Sequence, residues 1–304
     1  MHQYIAVIDC GTNTFTLNIY DAQSTNPFTR TAKERHFVEL AEEGIATIGP
    51  KAFERGIAAF QSFKKTLATY KSIHVVALGT AALRSASNAA EFTEAVLQNT
   101  GIAIQIIDGK REALLIHKGV RLAAPLSNRP SLIMDIGGGS VEFIIANQNQ
   151  LFWAKSYPIG GSVLFNELEP SDPILDSEIQ QLETQLQQIL NDLLTELQQH
   201  KIEYLIGASG SFDVIDNLTQ RKNDTANFST ISVQDFQKLY EQLVPSSFEQ
   251  RLQIENLMPT RAKLIVMSML LINFTLQHIH SSQLIASDYA MREGLVHEWL
   301  HSDT

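Results

Sequence analysis

Asp9-Cys10-Gly11-Thr12-Asn13-Thr14-Phe15 and Asp135-Ile136-Gly137-Gly138-Gly139-Ser140-Val141 are two copies of one pattern. Each begins with aspartate, passes through small residues to a hydroxyl and follows a short apolar run, residues 5–8 in the first copy and 132–134 in the second. The pattern predicts a strand, a tight turn and a returning strand. Glycine in such a turn lets the backbone take positive φ and approach a ligand closely. Successive N–H groups of the turn can form a concave anion site, to which Thr or Ser hydroxyls add donors. An aspartate at the mouth does not bind phosphate directly, but it can hold Mg²⁺ or orient water. One copy reads equally well as an ordinary hairpin. Two copies predict an internal duplication, with two lobes gripping phosphates from opposite sides.

The remaining sequence fits two mixed α/β lobes. Strands are expected over 4–8, 16–20 and 37–40, then a helix over 51–70 whose Ala52, Ile57, Ala58, Phe60, Phe63 and Leu67 recur at helical spacing after Pro50. A βαβα run follows: strand 74–78, helix 89–97, strand 102–107 and helix 112–122. That alternation implies parallel pairing beside the antiparallel hairpin, hence a mixed sheet. Residues 123–130, with two prolines, read as a linker. The second lobe then repeats the opening with strands over 131–135, 141–146 and 151–157. A helix over 176–200 carries a leucine stripe that reads as core. A strand at 204–206 leads to Gly207-Ala208-Ser209-Gly210-Ser211, helices near 233–243 and 260–279, a strand at 284–287 and a last helix at 290–301. The domain reading is 1–125 and 126–304, with the C-terminal helix, about 290–304, free to pack back on the first lobe.

Bulk properties narrow the function classes. A chain of 304 residues with 44% hydrophobic residues fills two cores of ordinary size. The formal net charge of −10 argues against duplex nucleic acid as a partner. The single cysteine, Cys10, excludes an internal disulfide or a cysteine zinc site and fits a reducing, cytoplasmic setting. No signal peptide is expected, and the longest apolar stretch, 264–274, is too short to span a membrane.

Four further places carry chemistry. Gly79-Thr80-Ala81-Ala82-Leu83-Arg84 follows a strand, where ligand loops gather in α/β folds; its arginine either forks onto a phosphate or sits on a solvated turn. Ile107-Asp108-Gly109-Lys110-Arg111-Glu112-Ala113 opens a helix. Glu112 there reads either as a partner of the helix dipole or as a general base, and spacing alone does not choose. Glu142, on the strand leaving the second turn, can share a metal with Asp135 or form a surface pair. The turn at 207–211 caps a helix or covers a nucleotide; its glycine spacing fails the nucleophile-elbow formula.

These pieces, in this order, resemble the exopolyphosphatase/guanosine-pentaphosphate phosphohydrolase (Ppx/GppA) family of the actin-like, sugar-kinase and Hsp70 ATPase superfamily. The resemblance runs from Val7 to about Trp299 and is carried by residues 8–14, 79–84 with Asn88, 107–120, 135–142, 157–161, 207–211 and 287–296. It implies two ribonuclease-H-like lobes with an active-site cleft between them, and Mg²⁺-dependent hydrolysis of a phosphoanhydride that releases orthophosphate; Mn²⁺ would also fit. Glu112 matches the family's catalytic glutamate. Asp135 and Glu142 match its acidic pair and are assigned to metal and water, with Asp9 as a further metal candidate. The phosphate-binding set is Gly11, Thr12, Asn13, Thr14, Arg84, Gly137, Gly138, Gly139, Ser140, Gly207, Ser209 and Gly210.

The resemblance further implies polyphosphate or guanosine pentaphosphate as substrate and a homodimer built through the second lobe. The helical HD-type domain of longer members is expected to be absent. Departures from the family pattern are Asp108 for Ser, Arg111 for the first Glu of a Glu-Glu pair, Glu43 for Gly, Lys263 for Asp and Ser268 for Gly. They put substrate and rate in question and keep open a sensor that binds without turnover. A kinase or ATPase of the same superfamily is the other alternative.

Overall fold

The structure, a computed structural model, describes residues 3–208, 210–219, 227–281 and 283–302. The chain forms two compact units, one of Met1–Leu115 with Met291–Thr304, the other of Ile116–Ala290.

The first unit contains β1 (Tyr4–Cys10), β2 (Thr14–Asp21), β3 (Arg30–Phe37), α1 (Pro50–Leu67), β4 (Ile73–Gly79), α2 (Ala81–Ser85), α3 (Ala89–Thr100), β5 (Ile104–Ile106) and the start of α4 (Gly109–Ala123). Its sheet runs β3-β2-β1-β4-β5, antiparallel through β1, β2 and β3 and parallel through β1, β4 and β5. Pro50 supplies the preset φ of a first helical residue, and α1 buries Ala52, Gly56, Ala59, Phe60, Phe63 and Leu67 at three- and four-residue spacing. Phe60 and Phe63 are fully buried, each worth about 2–3 kcal/mol by removal from water. Phe15 meets Phe60 and Phe92 edge-on, joining the turn-bearing hairpin to the helices behind it.

The second unit takes up the rest of α4, then β6 (Ser131–Ile136), β7 (Val141–Ala146), β8 (Leu151–Tyr157), α5 (Gly161–Leu168), α6 (Asp176–Ile189), α7 (Asn191–Gln199), β9 (Leu205–Ala208), α8 (Gly210–Leu218), β10 (Phe228–Ser232), α9 (Val233–Leu243), α10 (Phe248–Leu252), α11 (Pro259–Ala262), α12 (Ile265–Gln277) and β11 (Gln283–Ser287). The last helix, α13 (Met291–Leu300), belongs to the first unit and packs against β1. The second sheet is ordered β10-β11-β9-β6-β7-β8. Its β8-β7-β6-β9-β11 part repeats β3-β2-β1-β4-β5 in order and direction, with β10 added as an antiparallel edge. The duplication read from the two turns is thus a duplication of whole sheets. Helix α12 is apolar on every side and almost wholly buried, the mark of a core helix. No helix among the described residues is long and apolar enough to cross a membrane.

Several elements differ from the sequence reading. The third strand is Arg30–Phe37, not 37–40: it is a charged edge strand, tolerated because one side of an edge faces water. The helix expected over 176–200 breaks at Leu190, which stays buried while Asp192, in the first turn of α7, accepts hydrogen bonds from Tyr157 and Lys155. The helix expected over 260–279 divides into α11 and α12. Helices α2, α5 and α10 and strand β10 were not anticipated, and α8 was foreseen only as one reading of the 207–211 turn; α5 and α8 begin on glycines, which carry no helical signal. The division between units falls at Leu115/Ile116 inside α4, ahead of the proline-containing stretch 123–130.

Candidate active site

The two turns close alike. Gly11 N–H donates to Thr14 O at 3.1 Å and Gly137 N–H to Ser140 O at 2.9 Å. The cross-strand registers match as well: Cys10 faces Phe15 and Asp9 faces Thr16, as Ile136 faces Val141 and Asp135 faces Glu142. Neither Gly11 nor Gly137 takes a positive φ; among glycines that conformation occurs at Gly44 and Gly101. The turn glycines serve close approach instead. A Cβ on Gly11 would lie 3.2 Å from Thr14 O, and one on Gly137 would lie 3.1 Å from Ser140 O.

Each turn is held from behind by the segment that leaves the third strand of its hairpin sheet. After β3, Val38 and Glu39 N–H donate to Asn13 O, and Leu40 N–H donates to Thr12 O at 2.8 Å. Glu39 takes φ 51° to do so, a strained conformation worth about 1 kcal/mol or more for a side-chain-bearing residue. After β8, Gly161 N–H donates to Gly137 O at 2.9 Å, and Ser162 and Val163 N–H donate to Gly138 O. In a trans peptide the C=O and the following N–H point in opposite directions. The N–H groups of Gly138 and Gly139 are therefore turned away from α5, and neither donates to a protein atom among the described residues. Two successive outward amides are the elements of an anion-binding nest. The same argument turns the N–H groups of Asn13 and Thr14 away from residues 38–40.

Directly opposite residues of an antiparallel pair project on the same face, so Asp135 and Glu142 stand side by side. Both are buried, at 7% and 2% exposure. Glu142 Oε1 accepts the hydroxyls of Ser140 and Ser156, each at 2.7 Å. The Ser140 hydroxyl is thus spent on Glu142, which leaves the turn's backbone amides as its anion donors. In the first unit the equivalent pair is Asp9 and Thr16, with one carboxylate. Burial pushes the Asp9 carboxyl above its ordinary range against the pull of Arg292, whose Nη1 lies 3.8 Å from Asp9 Oδ2. Next to Arg292, Glu293 accepts the buried Tyr20 hydroxyl at 2.6 Å.

Glu112 occupies the first turn of α4. Asp108 caps that turn, its Oδ1 accepting from Arg111 N–H at 2.7 Å. Glu112 is 8% exposed, and its Oε2 accepts from Arg84 Nη1 at 2.7 Å. The same Nη1 donates to Ile107 O at 3.0 Å. Arg111 turns elsewhere: its guanidinium forks onto both oxygens of Glu298 on α13, and that hydrogen bonding holds it firmly protonated. The charge reversed at position 111 is therefore answered by Glu298.

The loop after β9 carries the remaining expected residues. Gly207 packs flat under Phe212, since a Cβ there would fall 1.9 Å from the ring, and Gly210 lies against the Arg261 guanidinium. Ser209 lies outside the described residues. Ser268 meets Ser211, Oγ to Oγ at 2.9 Å, and the Lys263 ammonium sits 4.8 Å from the centre of the Phe165 ring. The Glu43 carboxylate lies beside Gly49 at the start of α1, where a Cβ would come within 2.7 Å of it. Ser156, Arg292 and Glu298 escaped the sequence reading. Ser156 was recoverable from the strand pattern, because β8 pairs Ser156 with Glu142; the other two depend on a return of the chain that no local pattern announces.

Among the described residues no three His, Cys, Asp or Glu side chains gather into a metal cage. The Asp135–Glu142 pair still fits Mg²⁺: hard carboxylate oxygens suit it, and Mg²⁺ commonly takes one or two carboxylates, completing its shell with water and phosphate.

Comparison with known proteins agrees with this architecture. A protein of Haemophilus influenzae named provisionally as an exopolyphosphatase is 28% identical over 297 residues, covering 96% of this chain and 90% of its own. The crystal structure of an exopolyphosphatase from Cytophaga hutchinsonii superposes with a TM-score of 0.94 at 33% identity, covering 99% of this chain and 98% of that one. A Ppx/GppA family member from Aquifex aeolicus shares the fold at 21% identity, with a TM-score of 0.82 and complete coverage of both chains. The profile of the Ppx/GppA phosphatases matches residues 19–303, and with the repeated sheets and paired turns described above it establishes that the chain belongs to the Ppx/GppA phosphatase family.

Proposed function

We propose that the chain hydrolyses the terminal phosphoanhydride of inorganic polyphosphate in a Mg²⁺-dependent reaction, releasing orthophosphate. The observation that carries this reading is the second turn, where the outward amides of Gly138 and Gly139 lie next to the buried Asp135–Glu142 pair. Anion donors and hard-metal ligands on one hairpin suit a phosphate chain with its counter-cation. The exopolyphosphatase names of the two relatives above support the choice of substrate.

Asp135 and Glu142 would hold Mg²⁺, which supplies charge neutralisation to phosphate oxygens. Ser140 and Ser156 fix the Glu142 carboxylate for that task. The amides of Gly138 and Gly139 would receive phosphate oxygens. Glu112 would accept a proton from the attacking water as its oxygen bonds to the terminal phosphorus. The bridging P–O bond then breaks, and its electron pair stays with the shortened chain. Such chemistry needs little covalent help from the protein; positioning and charge stabilisation set the rate. The homodimer expected through the second lobe belongs to the same proposal and is read out by molar mass in solution.

The test is phosphate release with Mg²⁺ from polyphosphate of several defined lengths, guanosine pentaphosphate and ATP, for the wild type and Glu112→Gln. Release from polyphosphate that falls about 10²–10⁴-fold in the variant is the expected result. Release from guanosine pentaphosphate instead would reassign the substrate, and release from ATP alone would point to the ATPase branch. Binding without release of phosphate from any of them would refute hydrolysis and leave a sensor.

A further inference from the structure

Arg84 reads from sequence as a phosphate ligand, yet one arm of its guanidinium is already committed within the protein. Nη1 reaches Glu112 Oε2 at 2.7 Å and Ile107 O at 3.0 Å. The pair is sheltered, with side-chain exposures of 22% for Arg84 and 10% for Glu112. Removing one partner of such a pair leaves the other charge poorly solvated. One anchor, Ile107, lies in the β5–α4 connection and the other, Glu112, in the first turn of α4, so Arg84 ties the end of α2 to the turn that presents Glu112. The rest of that turn is fixed independently, by the Asp108 cap and by the Arg111–Glu298 fork. Glu112 thus has a rigid backbone and one cationic hand on its carboxylate.

We propose that Arg84 is a positioning residue for Glu112: its Nη1 holds the carboxylate aimed for proton abstraction from water. This rests on the reading of Glu112 as the base and deepens it. Nε and Nη2 make no hydrogen bond or ion pair with a described residue, so the same guanidinium keeps donors for a phosphate oxygen. The two roles have different kinetic signatures. A lost phosphate ligand raises KM for the chain, whereas a misaimed base lowers kcat and has nothing to act through once the base is gone.

The experiment is a double-mutant cycle on polyphosphate hydrolysis with saturating Mg²⁺: wild type, Arg84→Met, Glu112→Gln and the double variant, with Arg84→Lys alongside. Positioning predicts that Arg84→Met lowers kcat by more than tenfold with KM within about threefold, and that the double variant is no slower than Glu112→Gln alone. Lysine keeps the charge but lacks the planar guanidinium that fixes where the two hydrogens of Nη1 point, toward Ile107 O and Glu112, so Arg84→Lys should recover less than a tenth of the wild-type kcat. The inference is overturned if the losses multiply in the double variant, or if Arg84→Met raises KM tenfold while keeping kcat. Full recovery of kcat by Arg84→Lys overturns it as well. Thermal unfolding of each variant identifies an unfolded Arg84→Met, in which case Arg84→Lys and its double variant with Glu112→Gln complete the cycle. Full activity of Glu112→Gln, by contrast, defeats the reading of Glu112 itself and is visible before Arg84 is considered.

Discussion

Gly160 and Gly161 are adjacent, and the structure assigns them opposite tolerances. A Cβ on Gly160 would lie 2.4 Å from both the carbonyl carbon and the oxygen of Gly138 and 2.5 Å from Gly139 N. These are backbone atoms of the turn proposed to receive phosphate, so no side chain can rotate away. Ordinary contact begins near 3.4 Å, and relief requires the two segments to part by about 1 Å. A Cβ on Gly161 would find its nearest neighbours, Gly137 O and Ser268 Oγ, at 4.0 Å, which is relaxed contact. Gly160→Ala should therefore move the Gly138 and Gly139 amides and loosen the hydrogen bonds that Gly138 O accepts from α5. Misplacement of about 1 Å costs on the order of 10²-fold in rate, equivalent to about 2.7 kcal/mol. Overpacking of this kind costs about 1–3 kcal/mol of stability. Gly161→Ala, at the first position of α5, should leave kcat/KM within twofold and raise stability by up to about 1 kcal/mol. The assay is kcat/KM for phosphate release from polyphosphate, with thermal unfolding in parallel. Wild-type kcat/KM in Gly160→Ala would refute the argument that this contact sets the turn in place, whatever the melting temperature did.

Two other outcomes follow from buried groups. Ser156→Ala removes one of the two hydroxyls on Glu142 Oε1 and should raise the Mg²⁺ concentration for half-maximal phosphate release by about tenfold or more, with kcat at saturating Mg²⁺ little changed; an unshifted Mg²⁺ titration would count against Glu142 as a ligand. His117 is buried and its Nε2 has no hydrogen-bond partner among the described residues; burial, with Arg121 and Lys118 adding, lowers its pKa from 6.5 to about 4. The unfolded chain then binds the extra proton first, so this residue's share of stability is complete above pH 6.5 and is lost as the pH falls toward 4. Urea midpoints of the wild type should fall across that window more steeply than those of His117→Gln, and equal slopes would show that His117 is not the group responsible.

How much of this was legible in the sequence depended on the range of the interaction. The hairpins were legible because strand alternation is local, and it placed Asp135 and Glu142 on one face once the turn was read. The βαβ segments followed from apolar periodicity in the same way. Strand β3 was not legible: Arg30-Thr31-Ala32-Lys33-Glu34-Arg35-His36-Phe37 has the composition of a solvated segment, and the edge of the sheet gives it a partner on only one side. Helices α5 and α8 begin in glycine-containing loops whose purpose is close packing, and glycine there hides the helix that follows. The positive φ expected of the turn glycines was the wrong inference from a sound observation. At Gly11 and Gly137 a Cβ would press tightly, at 3.1–3.2 Å, on a carbonyl oxygen, and the backbone is not left-handed. The partners of Arg111 and Asp9 were out of reach, since Glu298 and Arg292 arrive from the far end of the chain.

That return of the chain bears on the order in which the protein is made. The second unit, Ile116–Ala290, is one uninterrupted stretch, whereas the first lacks α13 until residues 291 onward have been synthesised. Until then β1 is missing the helix that packs on it, Tyr20 lacks Glu293, Asp9 lacks Arg292 and Arg111 faces no carboxylate at Glu298. Domains generally fold as units during synthesis, the earlier-made before the later. Here the unit that begins first is completed last, and a chain interrupted after Ala290 would lack part of the first unit while holding all of the second.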